Sequence, residues 1–380
     1  MGFLKFLEGI RTPFLDWFFS LITHLGDETV FLVVAIFIFW CVSKREGYYV
    51  LITGLVGTVI NQILKLFFAI PRPWVQDTSF KPVDTAVERA TGYSFPSGHT
   101  QNATGTFGAI ARFCKRWWLR IVFIVLIVLV AFSRMYLGVH TPLDVLTSLG
   151  IGAALVFALR PLFSTEERFE KYMSFVVMGS IIAALAFMLY FPIFSDAGHD
   201  AANLESAMKN AYTLAGCTIG LALVYFVDSA WTKFDTRASW YAQIIKFVVG
   251  LGIVLLIKEG LRSPLEYICN GNIYIARMIR YLLVVVFAGI IWPITFKFFA
   301  RLKCAPLDRF AEKLAKIFKK RDTDADIDSS ENEEAPKKKS KAPTLSRKAI
   351  LADGSEVYVP RKKKKASWRS KNKKNKKHYR

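Results

Sequence analysis

The sequence predicts an all-α fold, a polytopic transmembrane helical bundle, on three observations. Of the 380 residues, 53% are hydrophobic and the mean hydropathy is +0.31, too apolar for a soluble domain that also carries a charged tail. The apolar residues fall in runs close to the ~20 residues that a spanning helix needs. Charge is uneven: residues 301–380 hold 26 Lys and Arg against 11 Asp and Glu, a net of +15, so the other 300 carry only +6 of the total +21.

In chain order, residues 1–24 place Phe3, Leu4, Phe6, Leu7 and Ile10, then Phe14, Leu15, Phe18, Phe19 and Ile22, near helical spacing. They predict an interfacial amphipathic helix followed by a short second one, for which crossing is left open. Glu8, Arg11 and Asp16 interrupt this stretch, so it does not read as a removable signal peptide. Apolar runs follow at 28–43, 48–70, 100–114, 117–138, 142–160, 172–194, 211–228, 241–257 and 281–300. Eight of these nine runs are read as spans, with 11–24 a further one if it crosses. The run 100–114 is short and holds Gln101, Asn102, Thr104 and Thr106, so it should face other helices rather than lipid.

Lys44-Arg45, Lys115-Arg116 with Arg120, Arg160 with Arg168 and Lys171, and Lys233 with Arg237 fall on alternate connections, which the positive-inside rule assigns to the cytoplasm. The acid-leaning segments 24–28 and 196–205, with 71–99 and the turn after Gly138, then lie outside. The connection 258–280 is an exception, external yet carrying Lys258, Arg262, Arg277 and Arg280. Five scattered cysteines without metal-like spacing exclude a disulfide framework or zinc site.

Three clusters carry chemistry. Lys65 and Arg72 stand seven apart, about two helical turns, at the end of the second span. Each alone would read as a snorkelling anchor. Next, Tyr93-Ser94-Phe95-Pro96-Ser97-Gly98-His99 opens a helix with Ser97 as a cap, and the unpaired N–H groups there suit an anion. His99 has an ordinary pKa fitted to proton transfer. In the third cluster Thr141-Pro142 forms an N-cap and N1 pair, and the spacing brings Asp144 to a ring nitrogen of His140, the logic of an oriented nucleophile. Arg134 adds a planar guanidinium for oxyanions.

Lys-x6-Arg-Pro, Pro-Ser-Gly-His and Ser-Arg-x5-His-x3-Asp, in that order, resemble the three motifs of the type 2 phosphatidic acid phosphatase (PAP2) superfamily, with every motif position matched. The resemblance implies a six-helix phosphatase core in which His140 attacks phosphorus, Asp144 orients it and His99 protonates the leaving oxygen. Lys65, Arg72 and Arg134, with Ser97 and the Gly98 N–H, would hold the phosphoryl oxygens, and no metal or other cofactor is implied. The core occupies 1–163, additional transmembrane helices 164–303, an amphipathic basic helix 304–321 and a disordered charged tail 322–380. The tail should lie on the cytoplasmic leaflet against anionic lipid headgroups, with no specific nucleic acid partner.

The expected activity is hydrolysis of a lipid phosphomonoester or diphosphate in the plasma membrane, with the site on the outer face. Phosphatidate, phosphatidylglycerol phosphate, undecaprenyl diphosphate and sphingoid phosphates all fit the same cradle. The alternative is a phosphotransferase that passes the phosphoryl group from a polyprenyl diphosphate to another lipid.

Overall fold

The computed structural model describes residues 1–87, 90–194, 200–302, 306–307, 309, 347–350 and 356–359. Most of the region expected as an amphipathic helix and most of the tail lie outside the described residues. The first compact unit is Met1–Ala305 and the second Pro306–Arg380. In the second, strands β1 (Arg347–Ile350) and β2 (Glu356–Val359) pair antiparallel with Arg347 opposite Val359.

The first unit opens with α1 (Gly2–Gly9) and α2 (Pro13–Thr23), the latter started by a Thr12 cap and Pro13 at its first position. α3 (Glu28–Phe37) follows after a 51° bend and widens into a π turn over Ile38–Val42. α4 (Lys44–Phe68), capped by Ser43, returns antiparallel to it, with Phe31 against Gly54 and Phe39 against Gly47. Two single turns, α5 (Pro73–Gln76) and α6 (Asp84–Val87), lead to α7 (Gly98–Phe113), α8 (Trp117–Tyr136) and α9 (Pro142–Leu159).

The extension comprises α10 (Glu166–Phe194), α11 (Ala201–Val227), α12 (Trp240–Gly260), the short α13 (Arg262–Ile268), α14 (Ile273–Val286), α15 (Trp292–Ile294) and α16 (Phe296–Arg301). A π turn over Phe287–Ile291 joins α14 to α15.

Among the described residues, seven helices are long and apolar enough to cross a membrane, or eight if the bent pair α2–α3 is one span. The segment 11–24 belongs to that bent pair. It lies along the end of α8: Tyr136 Oη donates to Asp16 at 2.8 Å, Phe19 packs on Phe132 and Tyr136, and Arg11 donates to the Tyr136 carbonyl at 3.1 Å.

The connection 258–280 needs the larger correction. Asn272 caps α14 eight residues before the predicted start, so Arg277 and Arg280 lie inside the helix. Arg277 Nε donates to Thr213 at 2.7 Å and Arg280 is buried.

α7 sits at the centre. Thr100, Ala103, Thr104 and Phe107 are buried, while α8 turns Trp117, Ile121, Ile124, Val125 and Val128 outward as a lipid-facing stripe. Small residues set the packing: Gly152 meets Thr104 of α7, and Gly57 meets Gln101. With Val156 of α9 also set against Gly108, the Gly152–Thr104 contact runs α7 and α9 parallel, both starting at the end where α4 and α8 finish. The basic connections meet at the other end, where Lys44 pairs with Asp228 at 2.6 Å and Arg45 with Glu166 at 2.9 Å.

Candidate active site

The site is assembled from helix ends. α4 stops at Phe68, because Ala69 adopts a left-handed φ of 47° and the prolines at 71 and 73 cannot continue an α-helix. Lys65 and Arg72 are thus not two turns apart on one helix, as their spacing predicts. Lys65 is the last basic group of α4, and Arg72 stands beyond it at the N-cap of α5. Both are buried and both line one cavity with His99, Arg134 and His140.

His140 is placed by the turn after α8. Gly138 has φ +79°, and a Cβ there would lie 2.7 Å from both Arg11 Nη2 and the Phe80 ring, so the turn needs glycine. Thr141 then caps α9 in a capping box with Asp144. The box aims the Asp144 carboxylate back: Oδ2 accepts from Thr141 N at 2.8 Å, Ser94 Oγ at 2.6 Å and His140 Nδ1 at 3.3 Å.

On the other side of the ring, Arg72 Nη1 lies 2.9 Å from Nε2. A guanidinium has no acceptor, so Nε2 is the acceptor and Nδ1 carries the proton. This tautomer directs the Nε2 lone pair at Arg72. Burial, then the charges of Arg72, Arg134 and Lys65, hold the imidazole well below its ordinary 6.5, so it is neutral at neutral pH.

The cations are fixed by neutral partners. Lys65 donates to the Tyr93 carbonyl. Arg72 donates to the carbonyls of Gly92 at 3.0 Å, Thr91 at 2.8 Å and Val139 at 3.0 Å. Arg134 donates to Thr23 Oγ1 at 2.6 Å, and its buried Nε has no partner among the described residues.

Ser97 caps α7 as its sequence predicts, but its hydroxyl accepts from Thr100 N and its own N–H donates to the Asp144 carbonyl at 3.2 Å. It holds the turn. Gly98 lines the cavity, and as the first residue of α7 its N–H has no partner within the helix.

Three residues escaped the sequence reading. Asp27, in the bend between α2 and α3, accepts from His99 Nε2 at 2.9 Å and from His24 Nδ1 at 2.8 Å. Ser94 and Thr23 support Asp144 and Arg134. For Asp27 a signal existed: it belongs to an acid-leaning segment assigned to the same side as His99, a ring that needs an orienting carboxylate.

The helices define an integral membrane protein with three buried cations gathered beside two histidines in one cavity. The PAP2 superfamily profile matches residues 45–168, and the profile "PAP2 superfamily phosphatase, transmembrane extension" matches 212–305. Phosphatidylglycerophosphatase B of Bacillus subtilis is 30% identical over 43% of this chain and 82% of its own length. The undecaprenyl-diphosphatase BcrC of the same organism is 36% identical over 30% of this chain. A probable sphingosine-1-phosphate phosphatase of Dictyostelium discoideum is 27% identical over 57% of it. The chain spans about half the length of these last two relatives, 56% and 54%.

A crystal structure of a transmembrane PAP2-type phosphatidylglycerolphosphate phosphatase from Bacillus subtilis aligns over 44% of this chain and 86% of its own, at 30% identity and a TM-score of 0.39. The chain belongs to the PAP2 superfamily.

Proposed function

We propose that the protein is a membrane lipid phosphatase that hydrolyses a lipid phosphomonoester or diphosphate through a phosphohistidine on His140. The observation that carries this reading is the His140 ring held between Asp144 at Nδ1 and Arg72 at Nε2, in a cavity with two further buried cations. Nε2 forms a bond to phosphorus as the bond to the lipid oxygen breaks, and His99 gives that oxygen a proton. In the second step His99 takes a proton from water, the water oxygen bonds to phosphorus, and the P–N bond electrons return to Nε2. Asp144 stabilises the imidazolium that develops in the first step.

Lys65, Arg72 and Arg134 carry the phosphoryl charge, as loose phosphoryl-transfer transition states require, so the reading needs no metal. Phosphatidate, phosphatidylglycerol phosphate, undecaprenyl diphosphate and sphingoid phosphates are the candidate substrates, and the named relatives support the diphosphate, glycerophosphate and sphingoid classes. The reading puts the site on the outer face of the plasma membrane and the basic tail on the cytoplasmic leaflet, and it is supported by Lys44, Arg45 and Arg160 pairing with Asp228, Glu166 and Glu46 at the end of the bundle away from the site.

The test is purified His140→Ala. It should retain its melting temperature but lose phosphate release and the acid-labile, base-stable phosphoenzyme. Retained release would refute the mechanism, and label recovered in a second lipid instead of water would make the protein a phosphotransferase.

A further inference from the structure

The cavity that begins at the cradle, about 300 Å³ in volume, continues along the inner face of α4, and its opposite wall is α11 and α14 of the extension. Next to the cations the wall presents two amides, Asn61 and Gln101. They are only 1% and 2% exposed, and each has both side-chain polar atoms without a partner among the described residues. Beyond them the lining turns apolar, with Leu51, Leu55, Leu221, Val224, Val285 and Ala288. From Asn61 to Leu51 is ten residues, or about 15 Å of helix.

The walls are closed by contacts that leave no space for side chains. A Cβ on Gly216 would lie 2.2 Å from the Met278 carbonyl oxygen, and one on Gly289 would lie 2.2 Å from Val224. Across the chamber Gly54 receives the Phe31 ring. At the far end Trp40 Nε1 donates to the Ala288 carbonyl at 2.8 Å, and Lys246 donates to the Trp40 carbonyl at 2.9 Å.

Buried amides with no partner are costly and call for one. Empty apolar space forfeits the dispersion contacts that a chain would restore. An occupant that answers both carries hydrogen-bonding groups next to its phosphate and a single alkyl chain behind them.

We propose that this chamber receives the single alkyl chain of the lipid phosphate, with Asn61 and Gln101 bonding a hydroxyl or amine on its first carbons, so that single-chain lipid phosphates are selected over two-chain ones. The proposal rests on the phosphatase reading and names its substrate class. The volume lies at the small end for ligand pockets, which leaves a second chain outside. Lipid tails are as apolar as leucine, so in a bilayer the choice is made by shape and by the amides rather than by hydrophobicity.

The test uses alkyl phosphates from butyl to dodecyl at monomeric concentrations. In the native protein kcat/KM should rise by up to about fourfold per added methylene until the chamber is full. In Leu55→Trp and Val285→Trp, on opposite walls, the ratio of decyl to butyl kcat/KM should fall at least tenfold. It should not fall in Leu223→Trp, which lies on α11 but is 44% exposed. In mixed micelles a single-chain amino-alcohol phosphate should exceed two-chain phosphatidate at least tenfold, and Asn61→Leu should narrow that preference.

A flat chain-length profile, equal turnover of one- and two-chain lipids, or an equal change in the Leu223→Trp control would each overturn the chamber while leaving the phosphatase intact. If Leu55→Trp fails to fold, Val285→Trp and the native profile still decide. Absence of release from every ester, butyl phosphate included, would sink the phosphatase reading instead. Calorimetric binding of dodecyl against butyl phosphonate would then judge the chamber by itself, equal affinities overturning it.

Discussion

Asp27→Asn is the most informative single change, because it removes one charge and almost no volume from the acid side of the site. Asp27 Oδ1 accepts from His99 Nε2 at 2.9 Å, so its carboxylate favours the protonated ring that the proposed mechanism uses to protonate the leaving oxygen. A hydrogen bond to a charged group contributes about 1.5–3 kcal/mol. Losing it withdraws that support from the imidazolium, equivalent to about 1–2 pKa units. The basic limb of the kcat/KM profile should therefore move down by about that amount.

At neutral pH the same loss slows alkyl phosphates by about 10–100-fold. An aryl phosphate with a good leaving group needs little protonation and should lose much less. The assay is phosphate release from both esters between pH 5 and 9, with circular dichroism as a check on folding. An unmoved basic limb with equal loss on both esters would refute general-acid duty for His99.

Ser94→Ala removes the 2.6 Å bond to Asp144 Oδ2 inside the core, leaving the carboxylate two of its three donors. It should cost about 1–3 kcal/mol, read as a lower melting temperature and an approximately tenfold lower kcat, and no change in either would refute the support. Gly216→Ala puts a methyl 2.2 Å from the Met278 carbonyl oxygen, and overpacking of this kind costs about 1–3 kcal/mol, measurable by thermal unfolding in detergent. Because the folded His140 ring binds its proton well below the ordinary 6.5, the unfolded chain binds more protons in acid. Its contribution to stability is complete above about pH 6.5 and is lost as pH falls below it, while the acid limb of kcat/KM, corrected for substrate ionisation, should lie below 6.5.

What the sequence disclosed about the site is what is encoded locally. The Ser97 cap, the Thr141-Pro142 start of α9 and the reach of Asp144 to His140 each depend on residues within four positions. The partners supplied by distant segments were not legible: Asp27 is 72 residues from His99, Thr23 is 111 from Arg134, and Ser94 is 50 from Asp144. Nothing in a short polar side chain announces a contact over such a separation. The Lys65–Arg72 error has a local cause, since the prolines that end α4 were present but the helical spacing was carried through them. Apolar runs marked most spans but not the wall that α11 and α14 build, because pattern identifies a helix's surroundings and not its neighbour.

The cradle's electrostatics follow from who partners the cations. Lys65, Arg72 and Arg134 are buried, yet the partners that fix them are carbonyl groups, a hydroxyl and a neutral imidazole, dipoles that orient a charge without cancelling it. The buried carboxylate nearby, Asp144, has its Oδ2 taken by three donors that are not these cations. Three desolvated positive charges held this way are unfavourable for the empty protein and favourable for a phosphoryl group, the preorganisation that electrostatic catalysis requires. Arg72 makes the coupling explicit. Its Nη1 occupies the lone pair of His140 Nε2, so the proposed nucleophile is covered in this structure. In the proposed mechanism an oxyanion that draws this guanidinium away also exposes the ring, and Arg72→Lys, which cannot bridge His140 and three carbonyls at once, should lose both phosphate affinity and that coupling.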